Sequence, residues 1–332
     1  MKKNVIIVGI DVSKATLDVH IHSTRFHFVV ENGPKGFIVL LETIFKICNC
    51  KKQDIFFCFE NTGKYSRMLS VFLHTQSIPF AMVPALEIKK SLGLTRGKND
   101  KVDARRIALY AFEKKERLTS TILPGEKIDK MKMLLSLREK LIKHRTAYKN
   151  GISDLHDCYR EGETGKIKEI QERLIKNITN EIESVEIEIG QIINTDHSMK
   201  KNFDLMISIR GIGKIISFYM IAYTANFTLF ANARSFACFA GIAPFDYSSG
   251  TIIGKPRVHH FANKQLKSLL NLAAMSSTQM NGEYKQYYNK RVNELGKNKM
   301  STLNIIRNKL IYRVFAVVNR GTPYVDIYKF AA

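Results

Sequence analysis

Residues 5–30 read VIIVGIDVSKATLDVHIHSTRFHFVV and contain three successive strand patterns. The first, residues 5–10, is continuously apolar and ends at an aspartate. Apolar and polar residues then alternate at period two over residues 17–21 and again over residues 26–30. Three strands separated by short polar segments predict antiparallel pairing at the start of a sheet.

The chain continues with alternating helical and strand patterns. They are a helix from Pro34, a strand at 55–59, a helix at 65–74, a strand at 78–83 and a helix that includes Tyr110. This order is typical of an RNase H-like (RuvC-like) sheet and also fits other mixed α/β folds. We expect an α/β domain over residues 1–123.

A long helical region follows Pro124-Gly125. An apolar seam opens at Leu134, and after a turn at 161–165 a second stripe runs from Ile167 to Ile192 at spacings of three and four. This pattern predicts an antiparallel coiled-coil hairpin over residues 124–200, which either packs on itself or joins two copies of the chain. Residues 201–332 form a third, mainly helical region.

The charge balance indicates a polyanionic partner. The chain has 52 lysines and arginines against 30 acids, a net charge of +22. Residues 251–332 alone contain 14 basic and 3 acidic residues. No apolar run approaches the ~18 residues that span a membrane. We therefore expect a nucleic acid, not a membrane, as the partner.

The cysteines indicate an intracellular setting. There are five, and none forms a CxxC pair or a zinc-like spacing with histidine. Reduced thiols in a cytoplasmic protein are the simplest interpretation.

Acidic residues end two of the predicted strands. Asp11 follows the first apolar strand, and Glu60 ends the strand at 55–59. A charge at the end of a buried strand needs compensation, and two carboxylates there could share a divalent cation. Either acid could instead be an ordinary turn residue.

Two further acids stand three residues apart at the start of a helix. Asp100 and Asp103 would therefore share one helix face. With Asp11 and Glu60 they could hold two Mg²⁺ ions, an arrangement suited to phosphodiester chemistry. Alternatively, Asp100 caps the helix and Asp103 is a favourable first-turn acid.

Two glycine-containing segments have weaker signals. Gly211-Ile212-Gly213 precedes an apolar helix and is either a phosphate-backbone contact or a tight turn between helices. Ser248-Ser249-Gly250 is, on local grounds, a turn. The nearby His259 and His260 are either phosphate donors, acid–base groups or solvated loop residues.

Six short motifs in a fixed order resemble one family, the one-hundred-and-ten insertion-sequence family of DEDD transposases. They are GIDVSK at 9–14, ENTG at 60–63, KNDKVDAR at 98–105, GIG at 211–213, FAGIAP at 239–244 and SG at 249–250. The resemblance implies an RNA-guided DNA recombinase with a RuvC-like domain, a coiled-coil insert and a C-terminal transposase domain.

The same resemblance assigns residue roles. It implies that Asp11, Glu60, Asp100 and Asp103 are catalytic acids that bind Mg²⁺, and that Ser249 is a nucleophile, with Ser248 as the neighbouring alternative. It also implies two DNA partners (donor and target), a structured bridge RNA and a homodimer or tetramer that builds its site between subunits, in a prokaryotic cytoplasm.

Two other functions remain open from the residues alone. One is a RuvC-like nuclease that uses water, with Ser249 in a structural role. The other is a non-catalytic RNA-binding scaffold in which the acids have no function.

Overall fold

The computed structural model describes residues 5–91, 99–158, 164–249, 252–258 and 262–325, with backbone alone at 156–158, 246–249, 252–253 and 255–257. The chain divides into two compact units, Met1–Leu123 and Pro124–Ala332. The first is an α/β unit and the second is mainly helical, which confirms the expected fold class at this level.

A five-stranded sheet forms the centre of the first unit. Its strands are β1 (Ile6–Val12), β2 (Thr16–Ile21), β3 (Phe26–Glu31), β4 (Ile55–Glu60) and β5 (Phe80–Val83). The order across the sheet is β3-β2-β1-β4-β5. β1, β2 and β3 pair antiparallel, as the hairpin pattern predicts, whereas β4 and β5 run parallel to β1.

Helices cover both faces of this sheet. They are α1 (Pro34–Cys48), α2 (Lys64–Thr75), α3 (Ala85–Ser91) and α4 (Asp100–Glu113), with a short 3-10 turn at Lys52–Asp54. Alternate β1 residues such as Val8 and Ile10 pack with α1 and α2, and Ile7 packs with α3 and α4. The α3 helix was not predicted from the sequence.

The contact between β1 and α4 requires a glycine. A Cβ placed on Gly9 would lie 2.3 Å from the Ala108 backbone nitrogen and 2.5 Å from the Ala104 carbonyl oxygen. The two backbones therefore touch at this point, which fixes the position of α4 over the strand that ends in Asp11.

Two long helices open the second unit, α5 (Glu126–Cys158) and α6 (Gly165–Asn194). They run antiparallel, since Lys130 pairs with Glu188 and the later Arg138 pairs with the earlier Glu186, each at 2.8 Å. The apolar stripe of α6 is buried in its second half, from Ile182 to Ile192. At its start Ile167 and Ile170 are exposed, at 50% and 39%, whereas Leu174 and Ile178 are partly buried.

The helices that follow α6 pack into one core with the base of α5 and α6. A pair of strands and a π-helical turn lie among the remaining elements of the unit. In chain order, these elements are α7 (His197–Ile207), α8 (Lys214–Thr224), α9 (Ala233–Phe239), β6 (Pro244–Ser249), β7 (Ile252–Val258), α10 (Lys264–Gln279), α11 (Glu283–Asn289), a π-helical turn at Lys290–Glu294, and α12 (Lys299–Arg320). The Gly211–Gly213 segment joins α7 to α8, and Gly211 has a φ of 87°. It forms a tight turn there, one of the two alternatives that the sequence leaves open.

Within the described ranges, no helix is both long and apolar enough to cross a bilayer. Cys48, Cys50, Cys58 and Cys238 are free thiols, and Cys58 is buried. Its burial raises the pKa of the thiol to about 12, so it is protonated and unreactive at neutral pH.

Candidate active site

Two of the predicted acids lie side by side at one edge of the sheet. Ile10 of β1 and Phe59 of β4 are register partners in a parallel pair, so the residues that follow them, Asp11 and Glu60, are neighbours. Both side chains are half-buried. The carboxyl ends of parallel strands lie at the same edge of a sheet. The place of each acid at the end of a strand was therefore enough to predict that the two lie close together.

The other two acids are presented by the first turn of α4. Asn99 caps this helix, because its Oδ1 accepts a hydrogen bond from the Lys101 backbone N–H at 3.1 Å. The alternative in which Asp100 is the cap is therefore wrong: Asp100 is the first helical residue. Asp103 accepts a hydrogen bond from Arg106 Nη1 at 2.8 Å within the helix.

The negative charges of the other three acids all reach Asp11. The pKa of Asp11 is raised from 3.8 to about 6, first by burial and then by the negative charges of Glu60, Asp100 and Asp103. Each of these carboxylates therefore acts on the charge of Asp11. A carboxyl whose pKa lies near neutrality binds a proton or a cation readily.

A fifth acid, Asp18, was not predicted as part of the site. It pairs directly with Asp11 across the β1–β2 hairpin and also contributes to raising the pKa of Asp11. It is buried and accepts a hydrogen bond at 3.0 Å from His27 Nε2 when that nitrogen is protonated. The signal available in the sequence was its place opposite Asp11 in the predicted hairpin.

The donor set suits Mg²⁺, although the acids do not form a finished cage. In the part of the chain that is described, no three Asp, Glu, His or Cys side chains are already arranged to hold a metal ion. The four acids nevertheless offer only carboxylate oxygens, the ligand type that Mg²⁺ prefers. A bound cation would also offset the repulsion that raises the pKa of Asp11.

The predicted serine lies at the end of a strand. Ser248 and Ser249 are the last residues of β6 and pair with Ile253 and Ile252 of β7. The prediction that this segment is a turn is therefore wrong for both serines, because pairing with the isoleucines extends the strand. Gly250, His259 and His260 lie outside the described residues.

The acids and the serine belong to different units of the chain, the acids to Met1–Leu123 and Ser249 to Pro124–Ala332. Two known protein-family models match the chain, and the first extends beyond Leu123 into the second unit. A DEDD transposase model of the IS110 type matches residues 8–159, and a model described as "Transposase IS116/IS110/IS902 family" matches residues 204–289. Together the two models extend over most of the chain.

These matches define the class as a DNA transposase, an enzyme of DNA recombination. The chain belongs to the IS110 family of DEDD transposases. Among curated proteins it is similar to the "Pilin gene-inverting protein" of Moraxella lacunata and to that of Moraxella bovis. Each is 27% identical over 327 residues, which is 96% of this chain and 97% of the relative.

Proposed function

We propose that this chain is an RNA-guided, Mg²⁺-dependent recombinase of an insertion sequence that joins itself covalently to DNA through Ser249. The main support is the group of carboxylates around Asp11, which burial and repulsion prepare for a cation. The family adds the DNA substrate. The names of the Moraxella relatives suggest that strand exchange here can also invert a DNA segment.

Three domains follow from this proposal. Residues 1–123 are the RuvC-like, RNase H-like domain, supported by the strand order β3-β2-β1-β4-β5 with its parallel β1, β4 and β5. Residues 124–200 are the coiled-coil hairpin, supported by the antiparallel ion pairs between α5 and α6. Residues 201–332 are the transposase domain that carries Ser249.

The chemistry is an exchange of one phosphoester for another. The Ser249 hydroxyl oxygen bonds to a DNA phosphorus, and the bond from that phosphorus to a deoxyribose oxygen breaks. The serine proton leaves to a base, and the departing deoxyribose oxygen takes up a proton. Phosphoester energy is retained, so the reverse attack by a DNA hydroxyl rejoins strands without ATP.

The chain's other groups position the substrate. Asp11, Glu60, Asp100 and Asp103 would hold Mg²⁺, which when bound supplies charge neutralisation at the phosphate and activation of the hydroxyl. Lys255 and Arg257, in the strand after Ser249, would hold the DNA backbone. A chain that leaves target choice to base pairing with a structured RNA needs few base-reading side chains.

Assembly into a homodimer or tetramer completes the proposal. The acids and Ser249 lie in different units, and the exposed start of the α6 stripe, at Ile167 and Ile170, offers apolar surface to a second copy. We place this assembly on DNA in the cytoplasm of a prokaryotic cell.

A denaturing gel tests the nucleophile. The chain is incubated with Mg²⁺, labelled DNA from both flanks of its gene, and RNA transcribed from those flanks. We expect a protein–DNA adduct that survives SDS, persists in Ser248→Ala and is lost in Ser249→Ala and Asp11→Ala. Cut DNA without an adduct would indicate hydrolysis by water. Full recombination by Asp11→Ala would contradict the metal site.

A further inference from the structure

The first unit contains a cavity of about 510 Å³ that the mechanism above does not use. Its polar lining is His20, His22, Arg25 and Arg105, and Phe112 forms part of its apolar wall. All five residues belong to Met1–Leu123, so the cavity is a feature of that unit alone.

The cavity shares a sheet face and a helix with the candidate metal site. Ile7, Gly9 and Asp11 alternate onto the face of β1 that α4 covers, and His20 pairs with Gly9 on the neighbouring strand. Ile7 lines the cavity, whereas Asp11 lies four residues further along β1. The two sites are therefore separated by about 13 Å along the strand.

The charges around the cavity favour an anion over a metal ion. The pKa of His20 is lowered by burial and then by the positive charge of Arg105. The pKa of His22 is lowered by burial and then by Arg25, with Glu113 opposing the effect. Arginines that disfavour protonation of the neighbouring histidines also repel a metal cation. They attract phosphate, which arginine binds through paired N–H groups.

A buried polar atom and a stacked ring complete the lining. His20 is 6% exposed, and its Nδ1 has no hydrogen-bond partner among the residues that the structure describes. A buried nitrogen without a partner is costly, so a small turn of the His20 ring that brings Nδ1 to a ligand oxygen in the cavity would be favourable. Phe112 stacks on His22 with ring centroids 4.2 Å apart, and Lys115 Nζ lies 4.7 Å from the centroid of the same ring, which places a further positive charge beside the cavity.

We propose that this cavity binds a phosphate of a nucleic-acid strand, held by Arg25, Arg105 and His20. The separation of about 13 Å along β1 lets another phosphate of the same strand lie at Asp11. The identity of the ligand as a nucleic-acid strand rests on the proposed function. The site would fix the register of a strand on the α4 face before any bond is broken.

The test observes the two cavity histidines directly. In the full chain with ¹³C-labelled histidine, the imidazole signals of His20 and His22 are assigned with His20→Gln and His22→Gln. The chain is then titrated without Mg²⁺ with a 5′-phosphorylated thymidine tetranucleotide, with thymidine monophosphate and with inorganic phosphate. The variants are Arg105→Gln, which is exposed in the parent, and the charge-matched control Arg67→Gln on α2, across the sheet.

We expect the tetranucleotide to shift both signals at lower concentration than the other two probes. Arg105→Gln should weaken this binding about tenfold, since it removes charged hydrogen bonds, and Arg67→Gln should leave it within about twofold. Unmoved signals, or equal weakening by both variants, would overturn the phosphate site. Tighter binding of phosphate or the mononucleotide would overturn the strand as its ligand. Because no cleavage is involved, adduct formation through Ser249 stands or falls separately.

Discussion

At the scale of single residues, Asp11 is placed where its charge is unfavourable in the absence of a cation. Burial first, and then the negative charges of Glu60, Asp100 and Asp103, raise its pKa to about 6. Active sites commonly keep such unfavourable charges at the expense of stability. The neighbouring negative charges that disfavour ionisation of the carboxyl also attract a divalent cation.

The pKa of Asp11 predicts a pH-dependent loss of stability. The folded chain keeps the Asp11 proton up to about pH 6, whereas the unfolded chain loses it near 3.8. Between these values the folded state binds more protons, so the free energy of unfolding falls as pH rises. Without Mg²⁺, Asp11→Asn should therefore be more stable than the parent at pH 7.5 by about 1–2 kcal/mol after allowance for solvent screening, and less so at pH 4.5.

Urea unfolding followed by hydrogen exchange of β1 and β4 peptides measures this difference in the first unit. Adding Mg²⁺ should raise the stability of the parent and close the gap, with a smaller effect on Asp11→Asn. A variant that is less stable than the parent at pH 7.5 would show that Asp11 makes net favourable contacts and would contradict the repulsion.

The sequence predicts the place of a residue when that place depends on the residues next to it along the chain. Asp11 and Glu60 are foreseeable because each ends an apolar strand. The burial of Asp18 and His20 is not foreseeable, since their alternation with apolar residues is typical of a solvated face. They are buried because α4, which comes about eighty residues later, covers that face. Tertiary burial of this kind leaves no local signal.

At the scale of elements, the β1–α4 contact sets the geometry of the acids. β1 carries Asp11 and α4 carries Asp100 and Asp103, and the two elements meet at Gly9. A small change in their separation would move two of the four carboxylates relative to the other two.

Gly9→Ala should therefore reduce both stability and activity. Its new Cβ would meet backbone atoms of Ala104 and Ala108 at 2.5 and 2.3 Å, which cannot yield as a flexible side chain would. We expect a loss of about 1–3 kcal/mol in the first unit, measured by the same exchange experiment, and a fall in SDS-stable adduct. The matched control is Gly33→Ala, whose nearest contact would be the Glu31 carboxylate at 3.4 Å. Equal effects of both variants would contradict this account.

The elements themselves were predicted unevenly. The five strands of the first unit and the long helices follow from their apolar runs and periodicity, whereas the short α3 (Ala85–Ser91) has too few turns to show one. Ser248 and Ser249 were assigned to a turn because serine and glycine are common there. Their strand depends on pairing with β7, which local composition does not reveal.

At the scale of the whole molecule, the chemistry is divided between two units that each carry half of the proposed site. The acids lie in Met1–Leu123, and Ser249 lies in the unit that begins at Pro124. Such a division allows an oligomer to pair the acids of one subunit with the serine of another, which would make cleavage conditional on assembly.

Mixing two inactive variants tests this arrangement. Asp11→Asn lacks a working acid group and Ser249→Ala lacks the nucleophile, so a mixed dimer with sites built between subunits regains one complete site. That site uses the acids of the Ser249→Ala chain and the serine of the Asp11→Asn chain. Random assembly should give about a quarter of the parental adduct. With one chain enlarged by a tag, the adduct should appear on the Asp11→Asn chain alone.

The matched control is a mixture of Asp11→Asn and Glu60→Gln, in which both changes affect the acid half and no pairing of subunits restores it. We expect no adduct from this mixture. If the first mixture also gives none while tagged pull-down shows mixed oligomers, the acids and the serine of one chain must act together. Assembly between subunits would then be wrong, although the serine chemistry would stand, because the parental adduct depends on Ser249 in either arrangement.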